Sequence, residues 1–348
     1  KDAGVRALVY LNLFGSRVQE VCTDTEIDYL IEARMGDFMP AAKGWLVNTV
    51  VDKVKKMVPA YHLPRAVSFK RALRMGAGLG VTRHPVTLDD VAVLQYTGGT
   101  TGLAKGAMLT HGNLVANMQQ VRACMSQLGD DGHPLIKEGQ EVMIAPLPLY
   151  HIYAFTANCM CMMVSGNHNV LITNPRDIGG FIKELKQWQF SGLLGLNTLF
   201  VALMDHPDFK TLDFSHLKIT NSGGTALVKA TAERWKALTG CAIGEGYGLT
   251  ETSPVASTNP YGGLSRLGTV GIPVPGTAMK VVDDLGQELP LGERGELCIQ
   301  GPQVMKGYWQ QPAATAETLD AEGWLKTGDI AVIDPDGFVR MVDRKKDL

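Results

Sequence analysis

Apolar residues at the start of the chain recur with two periods. VRALVYLN (5–12) and IDYLIEA (27–33) read as strands flanking a helix that runs through VQEV (18–21), so the chain opens with a βαβ unit inside a parallel sheet. In GWLVNTVVDKVKKMV (44–58), Leu46, Val47, Val50, Val51, Val54, Met57 and Val58 recur at helical spacing beside Lys53, Lys55 and Lys56. Such a helix either packs on a core with its lysines solvated or rests on an anionic membrane; core packing is the expectation. After a weakly patterned stretch (59–85), strand and helix signals alternate through VAVLQY, AMLTH, GNLVANMQQVRACM, EVMIAPL, NVLIT, GGFIKELKQW, GLLGL, NTLFVALM, LKITNSG, ALVKATAERWKAL and AIGEGY. That alternation predicts an α/β fold of parallel sheets flanked by helices. Beyond residue 257 the texture changes to short strands between Gly and Pro turns: MKVVDD, ELCIQG, AVIDPDG and FVRMVD. Residues 1–256 are therefore read as the α/β part and 257–342 as a smaller β-rich subdomain of distorted, barrel-like form.

Composition removes several classes of function. The 348 residues are 20% charged and 45% hydrophobic, which excludes disorder, collagen and coiled coil. With 33 basic against 35 acidic residues the net charge is −2, so there is no electrostatic case for a nucleic-acid protein. Cys22, Cys124, Cys159, Cys161, Cys241 and Cys298 are scattered without a CxxC pair, which fits a reduced, cytoplasmic setting and indicates no metal or redox site. Val142 to Pro175 lacks Asp, Glu, Lys and Arg, a length that raises a spanning helix. Pro146, Pro148, Asn158, Gly166, Asn167 and Asn169 interrupt it, and strand, turn, helix and strand buried in protein are predicted instead. The opening KDAGVR has neither an initiator methionine nor a signal-like apolar run, so the chain is expected to be an excised piece.

Candidate chemistry begins directly after VAVLQY. Thr97, Gly98, Gly99, Thr100, Thr101, Gly102 and Lys105 are the parts of a phosphate cradle: glycines let backbone N–H groups approach oxygens, hydroxyls add donors, and an ammonium supplies charge. A Walker A loop needs Gly before the Lys and Ser or Thr after it, whereas Ala104 and Gly106 stand there. A conventional P-loop is thereby disfavoured, and the GxGxxG fingerprint is absent from this loop.

YTGGTTGLAKGAMLTHGNL resembles the phosphate-binding signature of the adenylate-forming enzymes, the superfamily of acyl-CoA synthetases, luciferases and peptide-synthetase adenylation domains. Six further matches follow in the family's order: LPLYHIYAF (147–155), NSGGTAL (221–227), GEGYGLTE (244–251), GELCIQGPQVMKGYW (295–309), GWLKTGDIA (323–331) and VDRKKDL (342–348). Within the superfamily, NTLFVALM, ITNPRD, TNPY and GWLKTGDIA resemble most the bacterial long-chain fatty-acid CoA ligases. Ala104 departs from the proline often found before the phosphate-loop lysine.

The resemblance implies a two-step reaction. A carboxylate attacks the α-phosphate of ATP to give an acyl-adenylate and pyrophosphate, and the thiol of coenzyme A then takes the acyl group. It further implies that Thr97 to Lys105 wrap the β- and γ-phosphates, that Thr250 contacts phosphate, and that Glu251 holds Mg²⁺, a cation suited to hard oxygen ligands. Gly223, Gly224 and Thr225 would border the adenine on one side and Glu245, Gly246 and Tyr247 on the other. Asp329 would bind the ribose hydroxyls, with Arg344 at the ribose or α-phosphate. His151 would orient or gate the acid, with Tyr153 and Phe155 at the acyl entrance. LLGLNTLFVALM (193–204) is a suitable apolar wall for a chain, or a plain core helix. Residues 343–348, with Lys346, would begin the hinge to a lid domain beyond this chain, and a fragment without lid and N-terminal part is expected to bind ATP with almost no turnover. Expected partners are fatty acid, ATP and CoA; peripheral attachment to the inner membrane face and a homodimer are open. So are two rival readings, a ligase for another carboxylic acid and a nucleotide- or acyl-binding module without turnover.

Overall fold

A computed structural model describes residues 2–97, 104–128, 132, 134–261 and 265–344. By compactness the chain divides into Lys1–Pro85 and Val86–Leu348. In the first unit Ala7–Leu11 (β1) and Tyr29–Ala33 (β2) pair in parallel across the helix Gly15–Cys22 (α1), and Val67–Ser68 (β3) extends the sheet in the order β1-β2-β3. Tyr10, Val18, Cys22, Ile27 and Leu30 close its core, the βαβ unit that the apolar runs predict.

The next helix departs from expectation. Ala41–Thr49 (α2) continues as a π-helical turn over Val50–Val54, and of its seven stripe positions only Val51 is buried, while Leu46, Val54 and Met57 are exposed. Core packing of the whole stripe is thus incorrect. The reason is polar: the Oδ1 of Asn48 accepts from the Gly36 N–H (2.9 Å), and Asp52 accepts from Asn12 Nδ2 (3.3 Å) with Arg34 Nη1 at 3.6 Å. The helix is held by its polar residues.

The helix Phe69–Gly76 (α3) follows β3. The second unit begins with a hairpin, Val91–Thr97 (β4) against Lys105–Thr110 (β5), whose last register pair is Thr97 with Lys105. The helix His111–Met125 (α4) follows. Its main sheet combines Val142–Ala145 (β6), His168–Leu171 (β7), Gly192–Gly195 (β8), Ile219–Ser222 (β9), Ile243–Gly248 (β10), Val255–Thr258 (β11) and Ile272–Pro273 (β12). The order is β12-β11-β10-β9-β8-β6-β7, parallel from β7 to β10 and antiparallel beyond. Successive side chains alternate across it: Ile144 and Leu193 join one core with Phe181, Phe200 and Trp235, while their neighbours Met143 and Leu194 join another with Met118, Val121 and Met162. Both faces are covered, as a parallel sheet requires. The uncharged run 142–175 becomes β6, a helical stretch from Ile152 to Val164 and β7. Among the described residues no helix is long and apolar enough to cross a membrane.

Ala278–Val282 (β13), Arg294–Gln300 (β14), Leu325–Ile333 (β15) and Val339–Arg344 (β16) form an antiparallel sheet in linear order. This is the smaller β-rich subdomain that the strands between Gly and Pro turns predict, and among the described residues its strands pair in sequence from β13 to β16. It meets the main sheet through α4. Thr110 and Asn113 cap that helix reciprocally, with Asn113 N–H to Thr110 Oγ1 at 3.1 Å and Thr110 N–H to Asn113 Oδ1 at 2.9 Å. Asn113 Nδ2 then donates to the carbonyls of Pro302 and Val304, both at 2.8 Å, and Gln120 Nε2 donates to Gln303 Oε1 at 3.2 Å. Between them the fully buried Asn117 donates to the Val255 carbonyl (2.7 Å) and accepts from the Val255 N–H (3.0 Å), copying a strand partner for β11.

Because an orphaned buried polar group costs about 1–3 kcal/mol, Asn117→Ala should lower the unfolding free energy by at least that amount. Arg17→Ala, which removes only the exposed contact with Glu20, should change it by less than about 1 kcal/mol. Chemical denaturation of the two variants beside the wild type checks the contrast.

Candidate functional site

The C-terminal ends of β8, β9 and β10 open onto a cleft of about 660 Å³. Open α/β sheets bind ligands at this edge because the strands end there and successive loops converge. Gln95 and Thr97 reach the cleft from the end of β4, His151 and Tyr153 from the start of the helical stretch after β6, Gly223 and Gly224 from the end of β9, and Gly246 to Glu251 from β10 and its following turn. Thr327, Gly328, Asp329 and Arg344 come from the four-stranded sheet, where Asp329 and Arg344 are register partners on β15 and β16.

Two carboxylates on this polar wall are each held by a phenol. The buried Asp329 accepts from the Tyr247 hydroxyl at 2.6 Å, with Arg344 Nε at 3.5 Å from its other oxygen. Burial first, then the Asp329 charge and hydrogen bond, push the Tyr247 hydroxyl well above its ordinary pKa, so it stays a donor. Glu251 accepts from the Tyr308 hydroxyl at 2.7 Å, and burial followed by the Glu251 charge likewise raises that phenol. The Lys105 ammonium lies 4.9 Å from the centre of the Tyr308 ring, a cation–π distance. One tyrosine therefore links Lys105, the lysine of the expected phosphate loop, to the carboxylate in GLTE.

Another wall is apolar. Val121, Cys124 and Met125 of α4, together with Ala157, Leu194, Val255 and Tyr261, line it. Of LLGLNTLFVALM only Leu194 reaches the cleft; Phe200, Leu203 and Met204 belong to the core on the opposite face of the sheet, so that stretch is the end of β8 followed by a core helix, Asn197–Asp205, and α4 contributes to the wall. Burial lifts the Cys124 thiol to about 11, which makes it an apolar surface with no nucleophilic role. Tyr153 is pinned by donation to Asn221 Oδ1 at 2.8 Å and lies against Gly223, where an added Cβ would stand 3.1 Å from its ring. His151 is exposed at the rim and accepts the Tyr153 N–H at Nδ1 (3.3 Å).

The expected site residues divide in four groups. Thr97, His151, Tyr153, Gly223, Gly224, Gly246, Tyr247, Thr250, Glu251, Asp329 and Arg344 line the cleft. Lys105 joins them through Tyr308. Gly98, Gly99, Thr100, Thr101, Gly102 and Lys346 lie outside the described residues. Phe155, Thr225 and Glu245 are not among the lining residues. Phe155 packs on the core that includes Ile152, because positions two apart on a helix diverge and Tyr153 takes the cleft side. Thr225 is exposed, and Glu245 turns beneath the adjoining loops, accepting from the N–H groups of Leu227 (3.2 Å) and Gly268 (3.3 Å). Gln95, Asn221, Tyr308 and Thr327 are the unassigned additions. Asn221, a polar residue in the fully buried strand ITNS, carried the clearest sequence signal.

The pattern of the AMP-binding enzyme family matches residues 3–309. The chain is 49% identical over 347 residues to a long-chain-fatty-acid–CoA ligase of Salmonella typhimurium, covering all of this chain and 60% of that protein. It is 46% identical over 348 residues to one of Haemophilus influenzae, covering 61% of it. The chain thus spans about three fifths of the length of these relatives. Among solved structures, ATP-bound MatB from Rhodopseudomonas palustris superposes with a TM-score of 0.73 at 26% identity, over 96% of this chain and 62% of that one.

Glu245 generates a pH prediction. Burial raises its carboxyl above 4.5, partly offset by the two backbone donors. The folded protein therefore holds this proton more tightly than the unfolded chain, and the associated stabilisation is complete below about pH 4.5 and is lost as pH rises through the higher folded value. Glu245→Gln cannot ionise, so its stability relative to wild type should improve with rising pH across that window, by up to about 1.4 kcal/mol per pH unit. Denaturation midpoints between pH 4 and 7 test this; a constant difference would contradict it.

Proposed function

The chain belongs to the AMP-binding enzyme family, and from that premise we propose that the protein is an ATP-dependent long-chain fatty acid–CoA ligase that forms an acyl-adenylate and passes the acyl group to coenzyme A. The observation that carries this reading is a single cleft with two kinds of wall: Thr97, Thr250, Glu251, Asp329 and Arg344 on one, and Val121, Met125, Leu194 and Val255 on the other. A triphosphate nucleotide suits the first and an alkyl chain the second. The names of the two bacterial relatives support the same acid class.

Joining a carboxylate to a phosphate brings two anions together, so fixed positive charge and oriented donors must stabilise the transition state. Lys105 and Arg344 supply the charge, Thr97 and Thr250 the hydroxyls. Glu251 is the proposed Mg²⁺ ligand. Mg²⁺ commonly takes one or two protein carboxylates together with substrate phosphates, and Glu251 lies on the cleft wall where it could serve as one. Bound Mg²⁺ would neutralise charge on the phosphates. Asp329 is the proposed ribose acceptor, positioned by Tyr247. His151 and Tyr153 are the proposed acyl-side pair, and Lys346 the hinge residue. A cytoplasmic setting, peripheral attachment to the inner membrane face and a homodimer belong to the proposal, as does the division at residues 256/257.

Pyrophosphate release by the intact protein with a panel of acids of increasing chain length tests the reading directly. Preference for short or aromatic acids would reassign the substrate, and binding of ATP without acyl-AMP would reduce the protein to a binding module. Lys105→Ala should weaken ATP binding about tenfold to a hundredfold, the value of a charge-assisted hydrogen bond, and leave adenosine binding unchanged; equal loss for both would remove Lys105 from the phosphates. Glu251→Gln keeps the side chain's shape without its charge, and a Mg²⁺ titration at fixed ATP should lose its dependence on the metal. An unaltered titration would take Glu251 out of the metal site.

A further inference from the structure

The helix Ala41–Thr49 with its π-helical continuation is amphipathic in the reverse sense. Positions four apart share a face, and the row Gly44, Asn48, Asp52 faces the body of its unit. Gly44 sits so close to Gly36 that a Cβ on Gly36 would meet the Gly44 carbonyl at 2.3 Å. Asn48 bonds the Gly36 N–H, and Asp52 meets Asn12 and Arg34. On the opposite side Leu46 and Val54, with Met57 beyond them, turn outward while Val50 between them is half-buried: Leu46 is 55%, Val54 71% and Met57 50% exposed, and Trp45 at 70% flanks them. A soluble helix has no reason to anchor its polar side and leave leucine, valine, methionine and tryptophan in water, so this face implies an apolar partner.

The surrounding charge identifies that partner. Lys43, Lys53, Lys55 and Lys56 are all exposed, and among the described residues none of them is in an ion pair. An apolar ridge bordered by unpaired lysines with an aromatic at its side complements an anionic bilayer: the ridge enters the acyl boundary, the lysine stems extend to the headgroups, and the indole lies at the interface. We propose that this segment is a membrane-docking helix that binds anionic phospholipid surfaces through Leu46, Val54, Met57 and Trp45 and the four lysines. It gives the peripheral attachment of the proposed function a specific surface, while its test needs no acid, ATP or CoA, so failure here and failure of the ligase reading are distinguishable.

The experiment is sedimentation of the intact protein with vesicles of phosphatidylcholine alone or with about one third phosphatidylglycerol, a composition chosen to present anionic charge. Binding should require the anionic lipid and fall with added salt. Lys53→Glu, Lys55→Glu and Lys56→Glu together should lower it about a hundredfold or more, given the contribution of each basic residue near such a surface. Leu46→Ser with Val54→Ser should lower it about tenfold or more, with pyrophosphate release in detergent-dispersed acid unchanged, which shows that the variant folds. The emission of Trp45, isolated by difference against Trp45→Phe, should shift to the blue with vesicles. Vesicle binding equal to wild type in both variants, or no binding at all, overturns the proposal. So does a Trp45 already shielded from acrylamide without lipid, and the oligomeric state would then tell whether a second copy or another part of the polypeptide covers the face.

Discussion

The cleft depends on two hydrogen bonds between a phenol and a carboxylate. Tyr247 leaves the main sheet and meets Asp329 on the four-stranded sheet, while Tyr308 reaches Glu251 in the turn after β10. Both act beside backbone bonds between the same regions, Met305 N–H to the Glu251 carbonyl and Val270 N–H to the Val339 carbonyl, each at 2.8 Å. A carboxylate placed in a partly buried wall must be hydrogen-bonded or it takes up a proton. An arginine or lysine is the common partner, and would neutralise the charge. A phenol orients the carboxylate while adding no charge of its own, which leaves the acid lone pairs for a hydroxyl or a cation; at Asp329 the Arg344 guanidinium stands beside the other oxygen as well. The phenol ring of Tyr308 also lies 4.9 Å from the Lys105 ammonium.

Much of the fold was legible because burial imposes a period. The strands of the main sheet read as short apolar runs, GLLG being buried at every position, and the uncharged run 142–175 resolved into strand, helix and strand through its prolines and asparagines. What could not be read is which face of a helix turns inward when polar residues have better partners there than apolar ones. Helical spacing shows that Leu46, Val50 and Val54 share a side; it does not show that Asn48 and Asp52 find Gly36, Asn12 and Arg34 across the fold. The polar face of α4 was hidden for the same reason. Asn113, Asn117 and Gln120 look like solvent positions until their partners, contributed by residues more than a hundred positions later, are in place.

The site was legible as far as its motifs are contiguous. Thr250, Glu251 and Tyr247 stand within five residues and reach the cleft together. Tyr308 was contained in a recognised motif without an assigned part, because its role comes only from meeting Glu251 and Lys105. Phe155 failed for a geometric reason, lying two residues from Tyr153 on one helical turn. Glu245 and Gly246 fall on alternate sides of β10, and strand alternation sends one beneath the loops and the other to the cleft.

That alternation also explains why one cleft can join polar and apolar walls. On β8 the side chain of Leu194 faces α4 while Leu193 faces the opposite core, so the sheet offers an apolar surface to the cleft along its length. Polar chemistry then has to come from where strands stop, since only there do backbone groups and short loops escape the ladder. Asn221, Gly223 and Gly246 to Glu251 all lie at such ends, and the four-stranded sheet adds Asp329 from outside. The resulting boundary between loop ends and sheet face sets polar donors beside an apolar surface that runs toward α4, and the acid class proposed above rests on that juxtaposition.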